Sequence, residues 1–216
     1  MKRISLLFLI AFSLIAASAS AARYYYFEHL KATDGLPSNT IYCSIQDKDG
    51  FMWIGTRDGL CRYDGRSFVR IDEIILELSM SGMVMNVAED VLGRIWFSTS
   101  NGIYSYNPST NESGELGIPE KSGCMDIHAD KRGNVWFACS NSLYRHDTAN
   151  SGIHSYSIGN SRPVMITSDS LGMIWVLTER GDLYIYDRLK DTFKPLDLGK
   201  KVKMIEGVEE GRILMA

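Results

Sequence analysis

The sequence predicts an all-β fold made of repeated four-stranded antiparallel sheets, and two observations carry this prediction. The four tryptophans of the chain lie 43, 40 and 39 residues apart, at Trp53, Trp96, Trp136 and Trp175. Each follows a glycine by three residues and an aspartate by six, giving four copies of an Asp-x-x-Gly-x-x-Trp unit. A period near 40 residues is typical of β-propeller blades. We therefore expect an incomplete β-propeller of four blades plus part of a fifth.

Every residue of the repeated unit is expected to have a structural role. A carboxylate at the first position of a turn can accept backbone N–H groups, and these residues are Asp47, Asp90, Asp130 and Asp169. Glycine supplies the positive φ that completes such a turn, here at Gly50, Gly93, Gly133 and Gly172. The tryptophans offer a large apolar surface to the seams, because a thin blade buries its faces only against its neighbours. We predict scaffold roles for all of them, and neither catalysis nor metal binding.

The first 22 residues have the composition of a cleaved secretory signal peptide. Lys2 and Arg3 precede an apolar run at residues 4–17, and small residues follow at 17–22. The run is shorter than the roughly 18 to 20 residues of a membrane-spanning helix. Removing the segment changes the formal net charge from −3 to −5, since it takes away two cations and no acid. Nucleic acid is a poor partner for a negatively charged surface, so we expect an exported chain that does not bind it.

The remaining elements follow from the repeat. Residues 23–40 are interpreted as a lead-in that contains a closing strand at 24–30. The first blade is expected at residues 41–82, with strands at 40–46, 51–56, 60–63 and 68–71. Asp58-Gly59 favours a two-residue type I′ hairpin between the second and third strands, and Asn101-Gly102 repeats this signal. The later blades are expected at residues 83–123, 124–162 and 163–201, and the start of a fifth blade at 202–216.

Four cysteines in an exported chain raise the question of disulfides. Cys43 and Cys61 fall on strands with another strand between them, about 9 to 10 Å apart, and a bridge spans only about 7 Å. Cys124 and Cys139 lie on adjacent strands. A three-residue hairpin loop sets Cys124 opposite Ser140, whereas a two-residue loop sets the two cysteines opposite each other. This pair stays open, but our preferred interpretation is four buried thiols.

Catalytic and metal-binding patterns are weak in this sequence. His29, His128, His146 and His154 fall in different repeats without metal-ligand spacing. No nucleophile elbow, phosphate-binding loop or dinucleotide fingerprint occurs, so we predict no enzyme activity and no cofactor for this chain. For a ligand, loop residues are better candidates than strand aromatics occupied in seams. Arg57 and Arg180 occupy or adjoin hairpin turns, where an arginine can meet an acidic sugar.

One run of the sequence resembles a known family. The run DKDGFMWIGTRDGLCRYD at residues 47–64 resembles the two-component regulator propeller repeat. The lead-in, FEHL at 27–30 and GLPSN at 35–39, is similar to the start of the periplasmic sensor region of hybrid two-component histidine kinases from Bacteroides-type bacteria. The third repeat departs from the pattern, because Cys139 replaces threonine, Ser142 replaces the hairpin glycine and His146 replaces tyrosine.

The resemblance implies a function that composition and spacing alone do not. In that family, propellers are followed by a β-sandwich, a membrane helix, a kinase and a receiver. The chain would then be the N-terminal part of a periplasmic propeller that senses an oligosaccharide or another small ligand. Its partners would be the rest of the propeller and the downstream signalling domains, and a homodimer of the full-length protein stays open. Two alternatives are a propeller lyase or hydrolase of the streptogramin-lyase type and a secreted interaction propeller. We also expect four blades and a fragment to leave open sheet edges that favour aggregation.

Overall fold

The structure analysed is a computed structural model, and it describes residues 27–71, 82–119, 124–207 and 213–216. The chain separates into two compact units, residues 1–30 and 31–216. Only residues 27–30 of the first unit are described, and they form no helix or strand. The predicted signal peptide lies outside the described residues, as does most of the predicted closing strand, which stays a prediction. No helix in the described part of the chain is long and apolar enough to span a membrane.

The second unit begins with a short 3₁₀ turn, Ala32–Asp34, and continues as antiparallel sheets. The first sheet contains β1 (Ile41–Gln46), β2 (Met52–Thr56), β3 (Gly59–Tyr63) and β4 (Phe68–Arg70). The second contains β5 (Val84–Glu89), β6 (Ile95–Thr99), β7 (Ile103–Tyr106) and β8 (Ser113–Glu115). The third contains β9 (Cys124–Ala129), β10 (Asn134–Cys139), β11 (Ser142–Asp147) and β12 (Ile153–Ser157). The fourth contains β13 (Pro163–Ser168), β14 (Ile174–Thr178), β15 (Leu183–Asp187) and β16 (Thr192–Leu196). A two-stranded sheet, β17 (Ile205–Gly207) and β18 (Ile213–Met215), follows.

Each four-stranded sheet has its strands in chain order, and all of the pairings are antiparallel. This up-and-down order is that of a propeller blade. The predicted fold class, an incomplete propeller of four-stranded blades, is therefore confirmed. We refer to the four sheets as blades 1 to 4 and to the surface between two neighbouring blades as a seam.

The hairpin between the second and third strands of a blade differs from the predicted one. Thr56 pairs with Gly59, so the two loop residues are Arg57 and Asp58 rather than Asp58 and Gly59. The side chain of Thr56 sets this register. Its hydroxyl accepts the N–H of Asp58 at 3.2 Å and donates to the carbonyl of Gly59 at 2.9 Å. The hydroxyl of one buried threonine therefore hydrogen-bonds a backbone N–H and a backbone carbonyl of the hairpin.

Blade 2 has the same correction. Thr99 bonds the N–H of Asn101 and the carbonyl of Gly102 through its hydroxyl, at 3.0 and 3.3 Å. The backbone N–H of Thr99 also donates to the carbonyl of Gly102, at 2.8 Å. The predicted Asn101-Gly102 turn is therefore wrong by one residue, because the loop residues are Ser100 and Asn101.

A second difference decides the disulfide question. Asp130 lies opposite Asn134 at the closed end of its hairpin, with a loop of three residues between them, which is the first of the two loop lengths considered above. A β-bulge at Met125 then shifts the register, so that Cys139 lies opposite Cys124, and these two cysteines form a disulfide. Our preferred interpretation of four buried thiols is wrong for this pair. Cys43 and Cys61 are not disulfide-bonded, in agreement with their predicted separation.

The same bulge occurs at the start of the innermost strand of every blade. The register shifts after the first residue of β1, β5, β9 and β13. The extra residues are Tyr42, Met85, Met125 and Val164. Bulges bend and twist a strand locally, and their recurrence at one position makes this one part of the blade design.

The hydrophobic core is divided among the seams between blades rather than concentrated at one centre. Trp53, Phe97 and Ile95 lie in the cluster between blades 1 and 2. Further clusters fill the seams between blades 2 and 3 and between blades 3 and 4. Each blade is thus stabilised by its neighbours, as expected for a repeat architecture.

Candidate functional site

The aspartate of each repeated unit fastens both the turn and the tryptophan. In blade 1, Oδ1 of Asp47 accepts the backbone N–H groups of Asp49 and Phe51, at 3.0 and 2.9 Å. Oδ2 of Asp47 accepts the indole N–H of Trp53 at 2.7 Å. Gly50 follows with a φ of 91°, which side chains rarely adopt. We call this arrangement, with its counterparts in the other blades, the aspartate latch.

Two of the other latches repeat this geometry and one is weaker. The indoles of Trp96 and Trp136 donate to their aspartates at 2.8 and 3.0 Å. The distance is 3.5 Å for Trp175, which is also less buried than the other three tryptophans. The backbone part of the latch is the same in all four blades. The sequence indicated the backbone bonds but missed the indole bond.

The tryptophan of one blade packs against a ring from the third strand of the next blade. Trp53 lies 6.0 Å from Tyr106, Trp96 lies 4.9 Å from His146, and Trp136 lies 5.0 Å from Tyr186, measured between ring centroids. Each seam therefore has one aromatic pair at the same place. These rings are buried and occupied, which removes them from the set of candidate ligand contacts.

The seam between blades 3 and 4 also carries a polar cluster that reaches solvent. Asp191 accepts hydrogen bonds on Oδ1 from Tyr156 at 2.7 Å, from Tyr186, and from Arg145 at 3.0 Å. Its other oxygen, Oδ2, lies 4.0 Å from Nδ1 of His154, which is too long for a hydrogen bond. The side chains of Asp191 and His154 are about half exposed, at 48% and 47%. We call these five residues the Asp191 cluster.

The electrostatics of the cluster favour an ionised carboxylate beside neutral phenols. Partial burial alone would raise the pKa of Asp191, but hydrogen bonds from Tyr186 and Tyr156 and the charge of Arg145 outweigh it and lower this pKa. Burial, followed by the hydrogen bond to Asp191, raises the pKa of both tyrosines. Asp191 therefore stays charged at neutral pH, with three hydrogen bonds on Oδ1 and with Oδ2 near the imidazole of His154.

Comparison with the other blades shows which parts of the cluster are specific. Tyr106 in blade 2 donates in the same way to Asn111, at 2.7 Å, and Asn111 has a positive φ of 59° like Asp191 with 50°. A tyrosine bonded to a loop residue five positions later is thus a repeated feature. The second tyrosine of the cluster is not repeated. Tyr156 lies opposite Leu143 in blade 3, and the corresponding position in blade 4 is Leu196, which lies opposite Leu183. Sequence reasoning missed this cluster, since no motif marks the loop between the third and fourth strands.

The innermost strands are linked by side chains that cross from one blade to the next. Asn86 donates to the carbonyl of Cys124 at 3.4 Å, and Asp126 accepts the N–H of Ile166 at 2.7 Å. His128 contacts the hydroxyl of Ser168 at 2.9 Å. Burial raises the pKa of Asp126 to about 6 and lowers that of His128. These groups join blades 2, 3 and 4 near the innermost strands.

The two arginines predicted to bind ligand lie in exposed loops between second and third strands. The backbone N–H of Arg57 donates to the carbonyl of Thr40 at 3.0 Å, and that of Arg180 to the hydroxyl of Ser161 at 3.3 Å. Both loops are at the same end of their blades, but in blades 1 and 4. Within the described residues, neither arginine side chain forms a hydrogen bond or an ion pair, and the role of both in binding stays a prediction.

The histidines occupy four different environments. His29 is exposed in the lead-in, and His128 bonds Ser168. His146 is buried against Trp96, and burial followed by the charge of Arg94 lowers its pKa. His154 belongs to the Asp191 cluster. Among the described residues, no group of three or more His, Cys, Asp or Glu side chains could hold a metal ion.

A pocket of about 590 Å³ opens on blade 4 and needs a separate explanation. Its lining includes Ile185 and Lys194. Ile185 pairs with Trp175 and Lys194 pairs with Ile185, so that the three residues form one row across the sheet. In the three seams described above, the corresponding row is covered by a ring of the following blade. The pocket therefore lies on the face of blade 4 that corresponds to the seam-forming faces of blades 1 to 3, and we do not assign it to a ligand.

Comparison with known proteins gives a consistent picture of the fold. The family model described as two component regulator propeller matches residues 35–58. Histidine kinase P4 of Formosa agariphila is 38% identical over 69 residues, which cover 32% of this chain and 5% of that protein. The resemblance to the two-component regulator propeller repeat is therefore confirmed.

Solved structures extend the likeness over most of the chain. The extracellular domain of a putative hybrid two-component system from B. thetaiotaomicron superposes with a TM-score of 0.72 at 21% identity, over 89% of this chain and 29% of that one. Virginiamycin B lyase from Staphylococcus aureus gives 0.68 at 17% identity, over 84% and 64%. Identities this low establish the fold alone. The chain spans less than a third of the length of the sensor-domain structure.

Proposed function

Since this chain carries the two-component regulator propeller repeat, we propose that it is part of the extracytoplasmic sensing region of a hybrid two-component system and binds a glycan-derived ligand without transforming it. The proposal places the chain on the periplasmic side of the membrane. It assigns signalling to domains downstream of the propeller, including a histidine kinase. The repeat itself is scaffold, so the ligand must be recognised by other residues.

The Asp191 cluster is the observation that carries the glycan proposal. A sugar offers hydroxyl donors and a flat C–H face, and protein sites meet these with carboxylates and aromatic rings. The half-exposed side chain of Asp191 has its second oxygen, Oδ2, 4.0 Å from Nδ1 of His154, and Tyr156 is a partly exposed ring that donates to Oδ1. The cluster also bridges two blades, so a ligand bound there would change the contact between them. This coupling gives a sensor a route from binding to a change of shape.

Isothermal titration calorimetry of the exported chain against a panel of oligosaccharides tests the proposal. We expect one class to bind, and Asp191→Asn to weaken its binding at least tenfold, because the amide removes the charged acceptor. Asn111→Ala is the matched control, since Asn111 holds the equivalent loop position in blade 2. Its binding should stay within twofold of the wild type. Thermal melts of both variants show whether each remains folded.

Two results would contradict the proposal. Binding of a sugar with unchanged affinity in Asp191→Asn and His154→Ala would move the site away from the cluster. Alanine variants of Arg57 and Arg180 would then test the alternative loops. A panel of neutral and acidic oligosaccharides that gives no heat of binding with the folded wild-type chain would refute glycan recognition by this segment.

A further inference from the structure

The residues that lie opposite each tryptophan on the third and fourth strands differ from blade to blade. In blade 2 they are Ser105 and Gly114, which are both small. In blades 1 and 3 they are larger, and they are Arg62 with Val69 and Arg145 with His154. Residues directly opposite each other share one face of a sheet, and here it is the face turned toward the next blade. The outer part of the seam between blades 2 and 3 is therefore less filled than the other two.

A pocket of about 320 Å³ lies at this place on blade 2. Ser105 and Gly114 line it together with three larger polar side chains, Arg94, Asn107 and Glu112. In the seam between blades 3 and 4, the same row belongs to the Asp191 cluster. The volume is at the lower end of the range of about 300 to 1,000 Å³ for small-molecule sites, so the pocket suits a ligand of the size of one sugar ring.

Two buried polar atoms of this seam have no hydrogen-bond partner among the described residues, and they are Nη2 of Arg94 and Nδ1 of His146. Both side chains lie against Trp96, since the guanidinium carbon of Arg94 is 5.5 Å and the imidazole of His146 is 4.9 Å from its ring. The guanidinium donates to the protein only through Nε, to Oδ2 of Asp90 at 3.0 Å. Buried polar groups are normally paired. Arg94 can therefore bind a ligand oxygen without giving up a contact within the protein.

The charges of the lining oppose each other. Arg94 is the one cation of the lining and Glu112 the one acid, so an ion of either sign meets a like charge. Asn107 adds a donor, because its Oδ1 already accepts the N–H of Ser109 at 3.0 Å whereas its Nδ2 forms no hydrogen bond among the described residues. Donors next to an acceptor suit hydroxyl groups, which do both. Leu92, 59% exposed, gives the pocket an apolar wall for C–H groups.

We propose that this pocket binds a small neutral molecule with several hydroxyl groups, with Arg94 and Asn107 donating to its oxygens and Glu112 accepting from its hydroxyls. The pocket lies in a different seam from the Asp191 cluster and shares no residue with it. The inference therefore goes beyond the proposed function, and each of the two sites can exist without the other.

Nuclear magnetic resonance of the ¹⁵N-labelled chain tests this site, because its four tryptophans give four separate indole N–H signals. The indole of Trp96 and Nε of Arg94 donate to the same oxygen of Asp90, so a ligand on Arg94 changes the Trp96 signal. Trp136 reports on the Asp191 cluster, since it packs against Tyr186. We expect glucose, mannose or myo-inositol to shift the Trp96 signal at up to about 50 mM, a range that covers millimolar affinities. Glucuronate and glucosamine should bind about fivefold more weakly, because each meets a like charge.

Two pairs of variants locate the ligand. Gly114→Leu should abolish the Trp96 shift by filling the pocket, because a side-chain carbon there meets only Oγ of Ser105, at 3.7 Å. Gly117→Leu is its control, since Gly117 has open space around it and does not line the pocket. Arg94→Met should weaken binding about tenfold. Arg62→Met removes the corresponding guanidinium in blade 1 and, like Gly117→Leu, should bind within twofold of the wild type.

Four results would overturn the inference. The first is a Trp96 signal that none of the three neutral compounds shifts. The second is a shift of Trp136 alone, which would support the Asp191 cluster and exclude this pocket. The third is tighter binding of glucuronate than of the neutral compounds, because Arg94 would then form an anion site. The fourth is a Trp96 shift that persists in Gly114→Leu or disappears in Asp191→Asn, because the ligand would then lie outside the pocket. Thermal melts show that each variant is folded.

Discussion

Replacing Asp130 with asparagine should destabilise the seam between blades 3 and 4 by about 2 to 3 kcal/mol. Oδ2 of Asp130 accepts the indole N–H of Trp136 at 3.0 Å and the side-chain amide of Asn134 at 2.9 Å. An asparagine that keeps the backbone bonds must place its NH₂ group against these donors. A hydrogen bond from a buried group to a carboxylate contributes about 1.5 to 3 kcal/mol, and the indole N–H would be left unpaired.

Asp169→Asn is the internal control for this prediction. The indole of Trp175 is 3.5 Å from Oδ2 of Asp169 and is partly exposed, so water can replace the lost acceptor. We expect a cost below about 1 kcal/mol. Urea unfolding followed by circular dichroism gives the overall change, and hydrogen exchange measured by mass spectrometry resolves the two turns separately. The second measurement is needed because repeat arrays need not unfold in two states.

The comparison of the two variants decides whether the latch has the role we assign. Faster exchange in the turn of blade 3 for Asp130→Asn, with little change in blade 4 for Asp169→Asn, is the expected pattern. Equal destabilisation by both variants would refute the argument, since the indole bond would then contribute nothing beyond the backbone bonds that both turns share.

Three further predictions follow from the corrected details. Replacing Cys124 and Cys139 by serine should lower the free energy of unfolding by about 3 kcal/mol, the value for a disulfide that closes a loop of 15 residues. Alkylation of the unfolded, unreduced wild type should label two thiols, and labelling of four would contradict the disulfide. Thr56→Val should lower the free energy of unfolding in urea by about 1 to 2 kcal/mol, because it removes both hydrogen bonds of the hydroxyl to the loop. Thr56→Ser keeps the hydroxyl and should lower this free energy less. Equal losses in the two variants would assign the effect to side-chain packing and not to the hydroxyl. The pKa of Asp126 is raised to about 6, above the unfolded value of about 3.9, so ionisation costs stability as pH rises from about 4 to 6. The unfolding free energy of the wild type minus that of Asp126→Asn should therefore fall by about 2 to 3 kcal/mol between pH 4 and 7, and a constant difference would exclude the shift.

The sequence predicts the blades because its strongest signals are local and repeated. The spacing of Trp53 and its counterparts requires one bulky residue per blade, and Gly50 marks a turn that only positive φ can complete. The role of Asp47 in accepting backbone N–H groups follows from its turn position. The indole bond was missed, although the constant interval of six residues between aspartate and tryptophan was a usable signal.

The missed details depend on side chains that act between strands. The sequence does not predict the bulge at Met125, because a regular two-residue alternation is expected for the innermost strands. A usable signal is the pair of adjacent residues at the start of each innermost strand, such as Ile41 and Tyr42, because the pair breaks the two-residue alternation of side chains. The hairpin register was wrong because Thr56 competes with the Asp58-Gly59 preference through its hydroxyl.

The Asp191 cluster could not be predicted from the sequence for a different reason. Asp191 and Arg145 are 46 positions apart and meet only when blades 3 and 4 pack together. No pattern within one repeat indicates such a meeting. The prediction of Arg57 and Arg180 rests on their position in loops, and the position of a residue in its own loop does not indicate which groups from other blades surround its side chain.

The direction of the seam contacts has a consequence for the order in which the blades fold. The tryptophans of blades 1, 2 and 3 are each covered by a ring from the blade that follows in the chain, as with Trp53 and Tyr106. A chain that is synthesised amino terminus first therefore leaves each of these indoles uncovered until the third strand of the next repeat has been made. Folding would follow one repeat behind synthesis, with one uncovered apolar blade face at the growing end. Chaperones would meet that face repeatedly, at intervals of about 40 residues.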